Sequence, residues 1–190
     1  MKSAPITNFR LRMLALATLL ALAASSAHAA NCDMQLSNGT VDYGRLNQAA
    51  LVESSAPPND VLLGKRRLTL NVVCAEPSRL ALRFNGAPAP GKGYLFARNG
   101  NFTVLMSEAT VDGNAVALAK TDASGNPVQA GAAAQYLDPN AGVAAVSGTT
   151  AVLGKHLVVS LEIESSLPRS ATKLRDATQL EGSGQLELLR

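Results

Sequence analysis

Hydrophobic and polar residues alternate with a period of two along several stretches of the chain. Residues 32–37 (CDMQLS), 67–74 (RLTLNVVC) and 157–164 (LVVSLEIE) each place apolar side chains on one face and polar side chains on the other. Residues 184–190 (GQLELLR) repeat the pattern, and no long stretch has convincing helical periodicity. This alternation is typical of half-buried β-strands. Since turn residues separate the strands, the chain is predicted to be an all-β sandwich or barrel.

Shorter strands are predicted between these elements, at residues 80–84, 94–96, 102–106, 109–111 and 115–118. The sequences RNGN at 98–101 and DGN at 112–114 are expected to form hairpin turns. Residues 128–146 are rich in alanine and hold few large side chains. A weak strand, a loop and a short helix all remain open for that segment.

The first 29 residues have the three parts of a secretory signal peptide. Three basic residues come first, residues 13–24 (MLALATLLALAA) are apolar, and residues 25–29 (SSAHA) end in small side chains. We predict cleavage after Ala29, which leaves residues 30–190 as a single domain in the periplasm or outside the cell. A permanent membrane span needs roughly 20 apolar residues, so an uncut anchor is the less favoured alternative.

The distribution of charge argues against a nucleic-acid partner. The sequence has 17 Lys and Arg and 14 Asp and Glu, but residues 1–29 contain three of the basic residues and none of the acidic ones. The remaining domain is neutral and has no excess positive charge with which to neutralise phosphates. We expect the one basic run, residues 65–67 (KRR), to be a solvated loop that leads into a strand.

The chain has two cysteines, Cys32 and Cys74, and both fall on the apolar side of an alternating strand. An exported protein leaves the reducing cytoplasm, so two inward-facing thiols on adjacent strands favour one structural disulfide. The alternative is a pair of free, buried thiols.

Patterns that would indicate catalysis or metal binding are sparse. His156 is the only histidine outside the signal, and it begins an apolar strand, where a half-buried histidine is ordinary. The chain lacks the G-x-S-x-G turn of a serine hydrolase, and one histidine with two bridged cysteines does not make a usual zinc site. Glu162 and Glu164 are expected to be solvated, and the glycine-rich residues 91–93 and 182–184 match no phosphate loop. We therefore predict no catalytic residue, no cofactor and no metal, and we expect that the protein is not an enzyme.

Five stretches together resemble a known family: residues 32–39 (CDMQLSNG), 41–44 (VDYG), 68–74 (LTLNVVC), 80–82 (LAL) and 182–189 (GSGQLELL). They are similar to the fimbria-associated exported proteins of Gram-negative bacteria, uncharacterised domains sometimes labelled beta-fimbriae major subunit. That family resembles the chaperone–usher pilins. The likeness is clearest over residues 32–84 and returns at residues 182–189.

The resemblance implies a pilin-like, immunoglobulin-like sandwich that lacks its final strand. It also implies that a periplasmic chaperone and then other fimbrial subunits complete the sheet, with Leu186, Leu188 and Leu189 at the chaperone-facing end of the last strand. Pilins carry a donor extension of about ten or more residues before the first cysteine, whereas the predicted cleavage leaves only Ala30 and Asn31 there. The chain is therefore expected to accept a strand without donating one, which would suit a tip, terminator or non-polymerising subunit.

Two functions follow from these observations. The first is a fimbria-like structural or adhesive subunit of the periplasm and cell surface. The alternative is a self-complete secreted β-sandwich that binds a small ligand or a glycan.

Overall fold

A computed structural model describes residues 32–44, 55–56, 60–172 and 180–189. The predicted signal peptide, residues 1–29, lies outside these ranges. The described residues form two antiparallel sheets, and their helical content is limited to a 3-10 helix at Arg169–Thr172. Within them, no helix is long and apolar enough to cross a membrane.

The strands of the described residues are numbered in chain order. They are β1 (Cys32–Leu36), β2 (Ser55–Ala56), β3 (Asp60–Arg79), β4 (Ala81–Gly86), β5 (Tyr94–Phe96), β6 (Gly100–Val111), β7 (Asn114–Ala115), β8 (Ala117–Thr121), β9 (Ala134–Tyr136), β10 (Gly142–Ser147), β11 (Thr150–Ala151), β12 (Leu153–Pro168) and β13 (Gly184–Leu189).

The first sheet has the order β1-β3-β12-β6-β5. The short strands β7 and β9 also pair with β6, and β2 pairs with β3. In the second sheet, β10 lies between β8 and β4, and β4 pairs on its other side with β13. The strand β11 forms a hairpin with β10. The sheets pack face to face, so the prediction of an all-β sandwich is confirmed.

The core follows the alternation of the longest strands. In β3, Leu68 and Leu70 are 8% and 1% exposed, whereas Thr69 between them and Lys65 earlier in the strand face solvent. Leu157, Val159 and Leu161 of β12 are buried against the same cluster. Because side chains of a strand point to opposite faces in turn, each polar neighbour is directed outward.

The disulfide between Cys32 and Cys74 is present and is the only one that the two cysteines of the chain can form. Its Cα atoms are 4.0 Å apart, and the two residues are direct partners in the register of β1 and β3. The predicted bridge is confirmed, and the alternative of two free thiols is wrong.

Two segments differ from their predictions. The strand expected at 67–74 extends over Asp60–Arg79, so the basic run at residues 65–67 lies in β3 and not in a loop. The strands expected at 102–106 and 109–111 are one strand, β6, in which Glu108 has a φ of 53°. A residue in this left-handed conformation marks a bulge, where the strand kinks without ending.

The alanine-rich segment 128–146 contains β9 and most of β10. Ala144 and Ala145 are both buried, because β10 lies between two strands and is covered on both faces. Ala144 belongs to a second apolar cluster on the outer face of its sheet, with Ala81, Ala119, Val146 and Leu189.

Candidate functional site: the open edge of the last strand

The last strand, β13, forms one edge of the second sheet. It pairs with β4 from Gly184 opposite Gly86 to Leu189 opposite Ala81, and no other described strand pairs with it. In an antiparallel pair, alternate residues direct their N–H and C=O groups away from the partner. With respect to the described strands, the other side of β13 therefore presents a row of backbone donors and acceptors that could receive another strand.

The side chains of β13 alternate between the two faces of its sheet. Leu186 and Leu188 point into the sandwich and pack against the main core, but they are only partly buried. Leu82, which is opposite Leu188 on the neighbouring strand, is 0% exposed. Burial of the inward-facing leucines is therefore incomplete at the edge and complete one strand further in.

Leu189 differs from the two leucines with which it was grouped. It lies on the outer face of the sheet and is 6% exposed, in the second apolar cluster. The loop that contains Gly125 covers it, since a Cβ built on Gly125 would lie 3.2 Å from the Cβ of Leu189. The structure thus brings Leu186 and Leu188 together and places Leu189 apart, because successive residues of a strand face opposite ways. The role of all three towards a chaperone stays a prediction.

The first strand, β1, forms an edge of the other sheet. Among the described strands it pairs with β3 alone, and its inward side chains Cys32, Met34 and Leu36 are partly buried. Val72, which is opposite Met34 on β3, is 0% exposed. Both edge strands therefore leave apolar surface at the margin of the core.

We infer that these two edges lie on the same side of the sandwich. The other edge of the second sheet, β8, lies against β6 and β9 of the first sheet. Leu118 and Ala132 exchange backbone hydrogen bonds of 2.8 Å along that edge. Since β8 closes this side, β13 is left on the side of β1. We use the name open edge for β13, β1 and the partly buried side chains of Met34, Leu36, Leu186 and Leu188.

A trio of aromatic rings supports the start of β13. Phe84 meets Tyr94 and Phe102 in edge-to-face contacts, with ring centroids 4.6 and 5.7 Å apart. A Cβ on Gly184 would overlap the ring of Phe84, and one on Gly182 would lie 3.0 Å from the ring of Phe102. The glycine-rich residues 182–184 are therefore explained by packing, because a side chain there would push β13 off the aromatic rings.

Before Leu189, the outer face of β13 is polar, with Gln185 and Glu187 exposed. Glu187 accepts hydrogen bonds from Asn85 at 2.7 Å and from Arg83 at 3.1 Å. These two bonds lower the pKa of the Glu187 carboxyl. The Glu187 carboxylate thus links β13 to β4 on the outer face of the sheet.

The residues considered for chemistry lie elsewhere. His156 is exposed, and its backbone N–H donates to the carboxylate of Asp112 at 2.8 Å. Lys65 donates to Glu162 at 2.7 Å and lies 3.5 Å from Glu164. The bond between Lys65 and Glu162 lowers the pKa of the Glu162 carboxyl and raises the pKa of the Lys65 ammonium. Within the described ranges, no group of three or more His, Cys, Asp or Glu residues could hold a metal ion.

Basic side chains of the KRR run contact neighbouring groups. Arg67 lies 3.7 Å from Glu162, and the guanidinium of Arg66 stands 5.0 Å above the ring of Tyr43. The run is solvated, as expected, although it belongs to a strand. Lys65 and Arg67 are paired with carboxylates, so two of the three charges of the run are offset locally.

A separate cleft of about 550 Å³ lies at one end of the sandwich. Its walls are the loop between β4 and β5, the end of β8, and the end of β9 with the residues that follow it. Lys92, Lys120, Tyr136 and Asp138 supply its functional groups. Sequence reasoning did not find this cleft, because these residues come from three distant segments and none belongs to a short motif.

The fold and the open edge together define a disulfide-bonded, two-sheet β-protein whose last strand has one unpaired side among the described residues. No protein-family model matches the sequence, and no curated protein matches it.

Proposed function

We propose that the protein is a fimbria-like structural or adhesive subunit that accepts a strand at its open edge. A periplasmic chaperone would supply that strand first, and another fimbrial subunit would replace it at the cell surface. The observation that supports the proposal is that β4 is the one described strand that pairs with β13, beside the partly buried Leu186 and Leu188. The signal-like amino terminus and the resemblance to fimbria-associated exported proteins point the same way.

Strand addition would satisfy two needs of this edge at once. An added strand would bond to the free N–H and C=O groups of β13, which supplies affinity. Its alternate side chains would cover Met34, Leu36, Leu186 and Leu188, which supplies selectivity for an apolar pattern. Each buried CH₂ group contributes about 0.8 kcal/mol, so covering a few half-exposed side chains is worth several kcal/mol before the cost of ordering the partner.

Hydrogen exchange of the backbone amides tests this proposal directly. The protein is purified alone and in complex with a candidate periplasmic chaperone. We expect alternate amides of β13 to exchange rapidly in the free protein and slowly in the complex. Amides of β10, which is central in the same sheet, serve as the internal control and should be protected in both samples. Full protection of β13 in the free monomer would show a closed fold and refute the proposal.

A matched pair of leucine variants tests the side-chain part. Leu188→Asn places a polar group at the open edge, whereas Leu153→Asn makes the same change at a residue that is 64% exposed and lies on β12. We expect the first variant to lose chaperone binding and the second to keep it. Thermal melting of both proteins shows whether a loss of binding is caused by unfolding. Equal binding by two folded variants would contradict a role for Leu188.

The cleft favours the alternative function, a self-complete secreted sandwich that binds a small ligand or a glycan. Small-molecule sites usually have volumes of about 300–1,000 Å³, and this cleft falls within that range. Export of the chain into a periplasm without a cognate chaperone separates the two functions. A soluble monomer that melts cooperatively would favour the alternative, and proteolysis that a co-expressed chaperone prevents would favour the fimbrial subunit.

A further inference from the structure

The cleft at the end of the sandwich has an unbalanced charge. Lys120 and Asp138 form an ion pair with each other, so their charges cancel. Lys92 lies within ion-pair distance of no carboxylate in the part of the chain that the structure describes. Its ammonium stands 3.8 Å above the ring of Tyr136. The cleft therefore carries one excess positive charge next to an aromatic face.

The position of Lys92 is set by the loop between β4 and β5. Gly91 and Gly93 on either side of it have φ angles of 98° and 74°, and Ala89 donates a backbone hydrogen bond of 3.0 Å to Gly93. A Cβ on Gly93 would overlap the carbonyl oxygen of Phe102. Glycine is thus required there, and the loop turns Lys92 towards the cleft.

The contact between Lys92 and Tyr136 is weak enough to be exchanged for a ligand. A cation over an aromatic ring at an exposed site is worth only about 0.5–1 kcal/mol, whereas hydrogen bonds to charged groups contribute about 1.5–3 kcal/mol. An anionic group in the cleft would draw the ammonium away from the ring. This movement would uncover the face of Tyr136, and an apolar ring face of a ligand could then pack against it.

Asp138 adds an acceptor at the same place. Its Oδ2 accepts from Lys120, and a carboxylate has a second oxygen that can accept from a hydroxyl group. A ligand that uses all these groups carries one negative charge, an apolar ring face and hydroxyl donors. A sugar that bears a carboxylate has this combination.

We propose that this cleft binds a carboxylate-bearing saccharide, with Lys92 on the carboxylate, Tyr136 against the sugar ring and Asp138 on its hydroxyls. The inference deepens the alternative function and does not depend on strand addition at the open edge. The site is at a different place from β13, so its test and the hydrogen-exchange test can fail separately.

Titration of saccharides into the purified full-length protein, with the heat of binding measured by calorimetry, tests this site. The probes are two matched pairs: hyaluronan tetrasaccharide with neutral chitotetraose, and 3′-sialyllactose with lactose. We expect at least one carboxylated probe to bind and its neutral counterpart to bind about ten-fold more weakly or not at all, the scale of one charge-assisted hydrogen bond. The binding should weaken as salt is added.

Substitutions then assign the contacts. Lys92→Met removes the charge and keeps the chain length, and we expect it to weaken binding about ten-fold, whereas Lys92→Arg should retain binding. Lys155→Met is the control, because Lys155 is an exposed lysine outside the cleft. Tyr136→Ala should weaken binding and Tyr136→Phe should not. Failure of both carboxylated probes, equal binding of neutral probes, or unchanged binding by a folded Lys92→Met protein would each overturn the proposal.

Discussion

Removal of the disulfide is expected to destabilise the protein by about 4 kcal/mol. The bridge joins residues 42 positions apart. In the chain-entropy model, closing a loop of this length lowers the entropy of the unfolded chain and so raises its free energy by about 4 kcal/mol. Typical domains have a net stability of only about 5–15 kcal/mol, so the loss is a large fraction. The effect should be strongest at β1, because β1 pairs only with β3 among the described strands.

Urea denaturation followed by circular dichroism measures this loss. The double variant Cys32→Ala/Cys74→Ala is compared with the wild type. Both proteins are expressed at full length, exported and purified in the same way. We expect a lower midpoint and a smaller yield from the periplasm. The control is Val73→Ala, next to Cys74 on β3, because Val73 is 53% exposed and its truncation leaves no cavity.

One result would refute the reasoning. If the double variant loses less than about 1 kcal/mol, the loop-closure entropy is not what the bridge contributes. A wild-type yield from both single variants, Cys32→Ser and Cys74→Ser, would lead to the same conclusion.

Three further predictions concern packing and pH. Gly184→Ala should overlap the ring of Phe84 and destabilise the protein by about 1–3 kcal/mol, measured by urea denaturation. Burial raises the pKa of Tyr94 to about 12. The contribution of this tyrosine to stability is therefore complete below pH about 10 and is lost as the pH rises towards 12. Absorbance at 295 nm should show one late-titrating tyrosine that Tyr94→Phe removes. Lys65 holds the pKa of the Glu162 carboxyl below its usual 4.5, so the stability from this pair is present above that pH and falls as the carboxylate is protonated. Glu162→Gln should flatten the acid side of a curve of stability against pH. An unchanged curve would contradict the ion pair.

The sequence predicted the elements in which period-two alternation is strong. The faces of β1, the centre of β3 and the centre of β12 were right, and so was the pairing of Cys32 with Cys74. In these strands the inward residues are apolar and most of their neighbours are polar, with Val73 and Val158 as exceptions. One face is then strongly preferred, and local pattern and tertiary packing agree.

The sequence failed where packing, and not alternation, decides the structure. The segment that forms β10 has small residues on both faces, because another apolar cluster covers its outer side, and so no period could be read there. The bulge at Glu108 joins two strands that were predicted separately. Its positive φ is uncommon and cannot be predicted from the residue type. The outward burial of Leu189 depends on a loop some sixty residues earlier in the chain.

The candidate sites were predicted to different degrees. The last strand and the inward faces of Leu186 and Leu188 could be read from residues 184–190. That its edge is unpaired among the described residues depends on the order of strands in the sheet, which local pattern does not determine. The cleft around Lys92 and Tyr136 depends on contacts between remote loops and carried no sequence signal.

The position of the disulfide has a consequence for how the protein would resist tension. Cys32 is the first residue of β1, so a pull from the amino-terminal side would enter at the sulfur bridge and pass directly to Cys74. The hydrogen bonds of β1 would carry none of this load, and the 42-residue span between the cysteines would be hidden from stretching. At about 3.3–3.6 Å per extended residue, the bridge would shorten the maximum extension of the chain by about 140 Å. Single-molecule pulling with and without a reductant would reveal this difference.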